Sequence, residues 1–67
     1  MSDHINEPVL FLTFAYDDPD EAPVLDVSES LKAARRWMRG RSGYCYRVEL
    51  LPDGSYGNDQ FIAEFKL

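Results

Sequence analysis

The sequence contains few of the residues that build disulfides and metal sites. It has one cysteine, Cys45, and one histidine, His4. A disulfide within the chain is therefore excluded, and a Cys/His zinc site lacks ligands. We predict residues 1–7 to be a flexible polar tail, so His4 is not expected to act as a catalytic base. Cys45 is expected to be a small packed side chain in a strand.

Long apolar runs and phosphate-binding glycine loops are also missing. The longest apolar stretch, residues 9–16, is too short to cross a bilayer, and the polar, acidic N-terminus does not resemble a signal peptide. We therefore expect a cytoplasmic protein. Acids at positions 17, 18 and 20 approach the spacing of a calcium loop, but Pro19 interrupts it and the bidentate glutamate is missing. We expect no enzymatic activity, no cofactor and no metal, because no nucleophile, base and orienting residue come together.

The remaining pattern predicts one small α+β domain over residues 8–67. Both sides of the segment 9–16 are largely apolar, which is typical of a central strand covered on both faces. Residues 17–23 form a loop rich in Asp and Pro. Residues 24–27 are either a short second strand or the approach to the helix.

A helix is predicted to follow. Asp26 and Glu29 have the spacing of a capping box, and Ser28 is an alternative cap. Gly40 or Gly43 is expected to end the helix. The apolar stripe of this helix consists of Leu31, Ala34 and Met38, with Ala33 and Trp37 beside it.

Two alternating segments, 44–51 and 60–67, predict a terminal β-hairpin around the turn at Asp53 and Gly54. The fold class is thus an antiparallel sheet of three or four strands with one helix packed on one face, in the order β-(β)-α-β-β. We expect the helix to cover the side of the hairpin that holds Tyr44, Tyr46, Val48 and Leu50. The opposite assignment would place Arg47 and Glu49 beneath the helix, which is costly unless they are paired.

Charge is strongly segregated along the chain. The net charge is −5, yet residues 1–31 hold eight acids and no Lys or Arg, and residues 32–47 hold six bases and no acid. The candidate partner-binding residues are the helix bases Lys32, Arg35, Arg36, Arg39 and Arg41 and the loop acids Asp17, Asp18, Asp20 and Glu21. An ordinary solvated helix face that complements the helix dipole is the alternative for the bases, and a solvated loop is the alternative for the acids.

Apolar surface is predicted to remain after the helix has packed. A single helix covers one side of the sheet, whereas the segment 9–16 is apolar on both sides. Exposed apolar patches mark interfaces. We therefore expect either a homodimer or a tightly bound partner on the second side.

Residues 24–51 resemble small phage-encoded βαββ anti-CRISPR inhibitors. The resemblance rests on the short strand, the helix "SLKAARRWM" and the Tyr/Val-rich hairpin. That resemblance implies a stoichiometric inhibitor that binds a larger nucleic-acid-handling complex. The leading expectation is accordingly a small acidic protein-binding module without enzymatic activity. The alternatives are a direct nucleic-acid-binding module that uses the basic helix 30–41 and a homodimeric accessory subunit. No membrane partner is expected.

Overall fold

The protein is a four-stranded antiparallel sheet with one helix, described over residues 8–66 in a computed structural model. The elements follow in the order β1 (Val9–Ala15), β2 (Val24–Ser28), α1 (Leu31–Met38), β3 (Gly43–Leu50) and β4 (Tyr56–Phe65). The strands are arranged β2-β1-β3-β4, and every neighbouring pair is antiparallel. This confirms the predicted α+β class and the central position of β1. The predicted tail over residues 1–7 lies outside the described residues.

Strand β4 begins earlier than the sequence pattern predicts. It starts at Tyr56 rather than at residue 60, because part of the segment that was interpreted as turn pairs with β3 across a register shift between Arg47 and Glu49. Asn58 has φ 57° at this irregularity, a conformation that Asn tolerates better than most residues. A β-bulge of this kind uses residues that are otherwise typical of turns.

Helix α1 begins later than predicted. Its N-cap is Ser30, whose Oγ accepts a hydrogen bond from the backbone N–H of Ala33 at 3.1 Å. The predicted caps, Asp26 and Ser28, lie in β2, where the Ser28 hydroxyl donates to the Asp26 carboxylate at 2.9 Å. The helix ends at Met38, and Gly40 follows with φ 77°, the left-handed conformation expected at a helix end.

The helix packs on the side of the sheet opposite to the one predicted. Directly opposed residues of antiparallel strands project to the same side, and Thr13 lies opposite Cys45. Thr13, Ala15 and Cys45 are fully buried, as is Ala34 on the helix. The prediction that Tyr44, Tyr46, Val48 and Leu50 share a side with the helix stripe is therefore wrong.

Small side chains explain this packing. The side facing the helix carries Thr13, Ala15, Cys45 and Gly43, and a Cβ atom on Gly43 would lie 1.8 Å from the carbonyl oxygen of Phe14. The helix packs mainly against β1 and β2. Among residues 8–66, no helix has the length and apolarity to cross a membrane.

Candidate interaction surfaces

Helix α1 presents a positively charged surface to solvent. We define the basic face as Lys32, Arg35, Arg36 and Arg39, which are all exposed. Together with Leu31 they line a shallow, open cleft. Within residues 8–66, none of the four forms an ion pair with a described acid. The basic face therefore carries charge that the rest of the described chain does not neutralise.

The sequence places these bases outward because the helix has a single apolar stripe. Ala34 and Met38 are buried against the sheet, whereas the four bases lie on the exposed sides of the helix. The first turn contains no acid, and the last turn contains Arg35 and Arg36. Bases near the C-terminus are favourable with the helix dipole, but the dipole gives no reason for the lack of exposed Glu–Lys pairs along the helix.

Arg41 was predicted to belong to the same binding surface, and in the structure it makes two contacts within the chain. Its Nη1 donates to Asp17 Oδ2 at 3.0 Å, and its guanidinium lies 4.1 Å above the ring centre of Trp37. Its charge is therefore partly neutralised within the chain, unlike that of the four bases of the basic face. Arg41 links the end of the helix to the acidic loop.

The acidic loop, residues 17–21, is exposed throughout. Asp18 Oδ1 accepts a hydrogen bond from the backbone N–H of Asp20 at 2.9 Å, which is a local turn. Within residues 8–66, no three His, Cys, Asp or Glu side chains are grouped so as to hold a metal ion. The two charged segments predicted as separate candidate sites are thus neighbours, joined by the Arg41–Asp17 contact.

The other side of the sheet has no helix over it. The apolar residues of this open face are Leu10, Leu12, Phe14, Tyr16, Leu25, Val27, Tyr44, Tyr46, Val48 and Phe61. Val48 is buried at 4% exposure, and the other nine are partly or largely exposed. Leu25, Val27 and Phe61 are each more than half exposed, at 53%, 52% and 54%. No charged residue falls on this side within β1, β2 or β3, but Glu64 of β4 lies opposite Tyr44 and therefore belongs to the same side, 3.9 Å from Lys66.

Aromatic rings on the open face contact one another. The rings of Tyr46 and Phe61 are 5.6 Å apart, and those of Phe14 and Tyr46 are 6.1 Å apart, both in edge-to-face geometry. Tyr16 and Tyr44 form a third such pair at 6.0 Å. These spacings are favourable for aromatic pairs and hold the rings in place before anything binds.

Sequence reasoning did not identify the open face as a site by residue. The apolar character of both sides of β1 indicated that one side would remain uncovered, but the reversed assignment placed Tyr44 and Tyr46 beneath the helix. Phe61 could not be placed on the same side as Tyr46 from the alternation of β4, because the register shift at Tyr46 changes its parity.

Cys45 is the remaining group with chemistry of its own. It is a free thiol buried beneath the helix, as predicted for a small packed side chain. Burial raises the pKa of this thiol above its ordinary value of 9.0, and the nearby Arg35 opposes that shift only partly. His4 lies outside the described residues.

No family model, curated protein or solved structure matches the chain. The functional interpretation depends on the basic face, the acidic loop and the open face.

Proposed function

We propose that the protein is a small protein-binding module without enzymatic activity, and that it binds an acidic patch of its partner through the basic face. The observation that supports this is the set of four exposed bases on α1 with no ion-pair partner among the described residues. Leu31, which lines the same cleft, adds an apolar contact. Such a surface favours a partner of complementary charge and makes binding dependent on salt.

Direct binding of nucleic acid is the weaker alternative. A polyanion running along α1 would extend past Arg41 to the acidic loop, where Asp17 lies 3.0 Å from the Arg41 guanidinium. The net charge of −5 adds repulsion at long range. A compact acidic patch on a protein is able to contact the basic face without reaching the loop.

The more specific hypothesis is that the partner is a nucleic-acid-handling complex and that binding inhibits it stoichiometrically. The resemblance of residues 24–51 to anti-CRISPR inhibitors supports it. In that case the acidic loop is a second contact, since carboxylates are able to occupy a groove that otherwise holds phosphates.

The experiment compares two reversals of single charges. Arg36→Glu and Lys66→Glu both change the net charge from −5 to −7, but only Arg36 belongs to the basic face. Each variant and the wild type are used as bait in a nuclease-treated lysate, and captured proteins are identified by mass spectrometry and purified. We expect the Kd of the purified partner to rise at least tenfold for Arg36→Glu, a loss of about 1.4 kcal/mol, and to change little for Lys66→Glu.

The triple reversal of Arg35, Arg36 and Arg39 to Glu is expected to remove binding, while circular dichroism shows that the fold is kept. Binding that survives this variant contradicts the proposal. Capture from an untreated lysate that disappears in the nuclease-treated lysate identifies nucleic acid as the ligand instead. Loss of binding only when Asp20 and Glu21 are changed to Lys assigns the contact to the acidic loop.

A further inference from the structure

We propose that the open face is the interface of a homodimer, in which two copies pack sheet against sheet and carry their helices on the outside. The inference concerns a different surface from the basic face and does not depend on the proposed function. In this arrangement the two sheets form a sandwich, with the mean strand directions within about 30° of each other. The dimer is two-fold symmetric, so that each copy contributes the same residues.

The thin core of the single chain supports a second copy rather than a different partner. The largest fully buried side chains are Met38, Thr13 and Cys45, none of which is aromatic. Five of the nine aromatic residues lie on the open face, and three of these, Tyr16, Tyr44 and Phe61, are exposed. Chains of this size commonly need a supplement to their own core, such as a disulfide, a metal or association. A second copy is present whenever the chain folds, whereas another protein need not be.

The distribution of charge permits two copies to meet in spite of their net charge of −5 each. No charge falls on the open face within β1, β2 and β3, and on β4 the charge of Glu64, which lies opposite Tyr44, is offset by Lys66 at 3.9 Å. The acidic loop lies at one end of the sheet, between β1 and β2. Repulsion between the two loops therefore favours the orientation in which they lie at opposite ends of the sandwich.

The size of the face is sufficient for a small specific interface. Four strands about 4.8 Å apart and roughly 20 Å long cover about 400 Å² in projection. Two such projections total about 800 Å², and protruding side chains raise the buried accessible area toward the roughly 1,000 Å² at which specific interfaces begin. The ring pairs that involve Tyr46 are already formed, which lowers the entropy lost on association.

Two neighbouring residues of β2 give a matched pair of variants. Leu25 lies on the open face and is 53% exposed. Val24 lies on the helix side, because it is paired with Ala15, and is 45% exposed. Each is changed to Glu, and the molecular mass is measured by sedimentation equilibrium. We expect a mass of twice 7.7 kDa for the wild type and for Val24→Glu, and a dimer Kd at least about 100-fold higher for Leu25→Glu.

The unfolding of the wild type provides a test that needs no variant. The thermal midpoint of a dimer rises with protein concentration, and that of a monomer does not. A monomeric wild type whose thermal midpoint does not change with protein concentration overturns the proposal. This holds also if a different protein is found to cover the open face. Equal dissociation constants for the two Glu variants overturn it as well, because they show that the contact lies elsewhere.

Discussion

The side chains beneath helix α1 are small, and Cys45 is the one among them with a reactive group. The alternation of β3 allows Cys45 to lie on either side of the sheet, and a cysteine is compatible with both sides. Thr13 and Ala15, on the neighbouring strand, share its side and are equally buried. A combination of Thr, Ala and Cys is what a close helix requires, whereas Tyr44 and Tyr46 would hold it away from the sheet.

We expect the Cys45 thiol to be protected in the folded protein. Its raised pKa reduces the reactive thiolate, and its burial blocks a reagent. With a chromogenic disulfide reagent at mildly alkaline pH, the reaction should be at least about 100-fold slower in native buffer than in denaturant, because access requires opening of the structure. Equal rates in both conditions would show that the thiol is exposed.

The helix and the terminal hairpin are the elements at which sequence patterns and structure differ. The capping-box spacing of Asp26 and Glu29 predicted an early helix start, but the pairing of β2 with β1 continues to Ser28 and delays it. A local signal was overridden by tertiary pairing. Of the two glycines expected to end the helix, Gly40 follows it in the left-handed conformation, whereas Gly43 lies in β3.

Changing Ser30 to Ala tests the observed start of the helix. Loss of the hydrogen bond to the Ala33 N–H should lower the free energy of unfolding by about 1 kcal/mol. Glu29→Ala is the control. Glu29 is exposed, and its replacement should lower stability only if Glu29 closes a capping box with Asp26. Urea titrations of both variants measure the difference. A larger loss at Glu29 than at Ser30 would place the cap at Asp26.

The hairpin contains an ion pair that makes its stability depend on pH. Arg47 donates to Glu49 at 2.6 Å, and Asn58 donates to the same carboxylate at 3.3 Å. The hydrogen bonds from Arg47 and then Asn58 lower the pKa of Glu49 from its ordinary value of 4.5. The stabilisation is therefore present above that ordinary value and is lost as the pH falls through the lowered value in the folded state.

We expect Glu49→Gln to be less stable than the wild type near pH 7, and the difference to shrink below about pH 4. Glu64→Gln is the control, because Glu64 lies 3.9 Å from an exposed Lys66 and such a pair contributes little. Chemical unfolding at both pH values measures the two differences. A Glu49→Gln difference that stays constant over this range would assign the effect to packing rather than to charge.

For the whole molecule, the sequence was sufficient to predict the fold class but not the side on which the helix packs. The cost of burying Arg47 and Glu49 argued for the wrong side. That cost is avoided because they pair with each other and because an eight-residue helix, about 12 Å long, does not cover an eight-residue strand of about 26 Å. Both charged side chains remain partly exposed, at 31% and 40%. The side on which the helix packs therefore depends on the relative lengths of helix and strand, which the alternation of residues does not show.

The register shifts in β4 have a consequence for the solubility of the protein. A sheet ends in two edges whose unpaired backbone groups are able to recruit further chains. Along β4, the bulge near Asn58 and the exposed Asp59, Glu64 and Lys66 interrupt a regular edge. At the other edge, β2 is only five residues long and follows Pro23. Growth of the sheet by addition of strands is thereby disfavoured, so the chain resists forming fibres even while it leaves a broad apolar face uncovered.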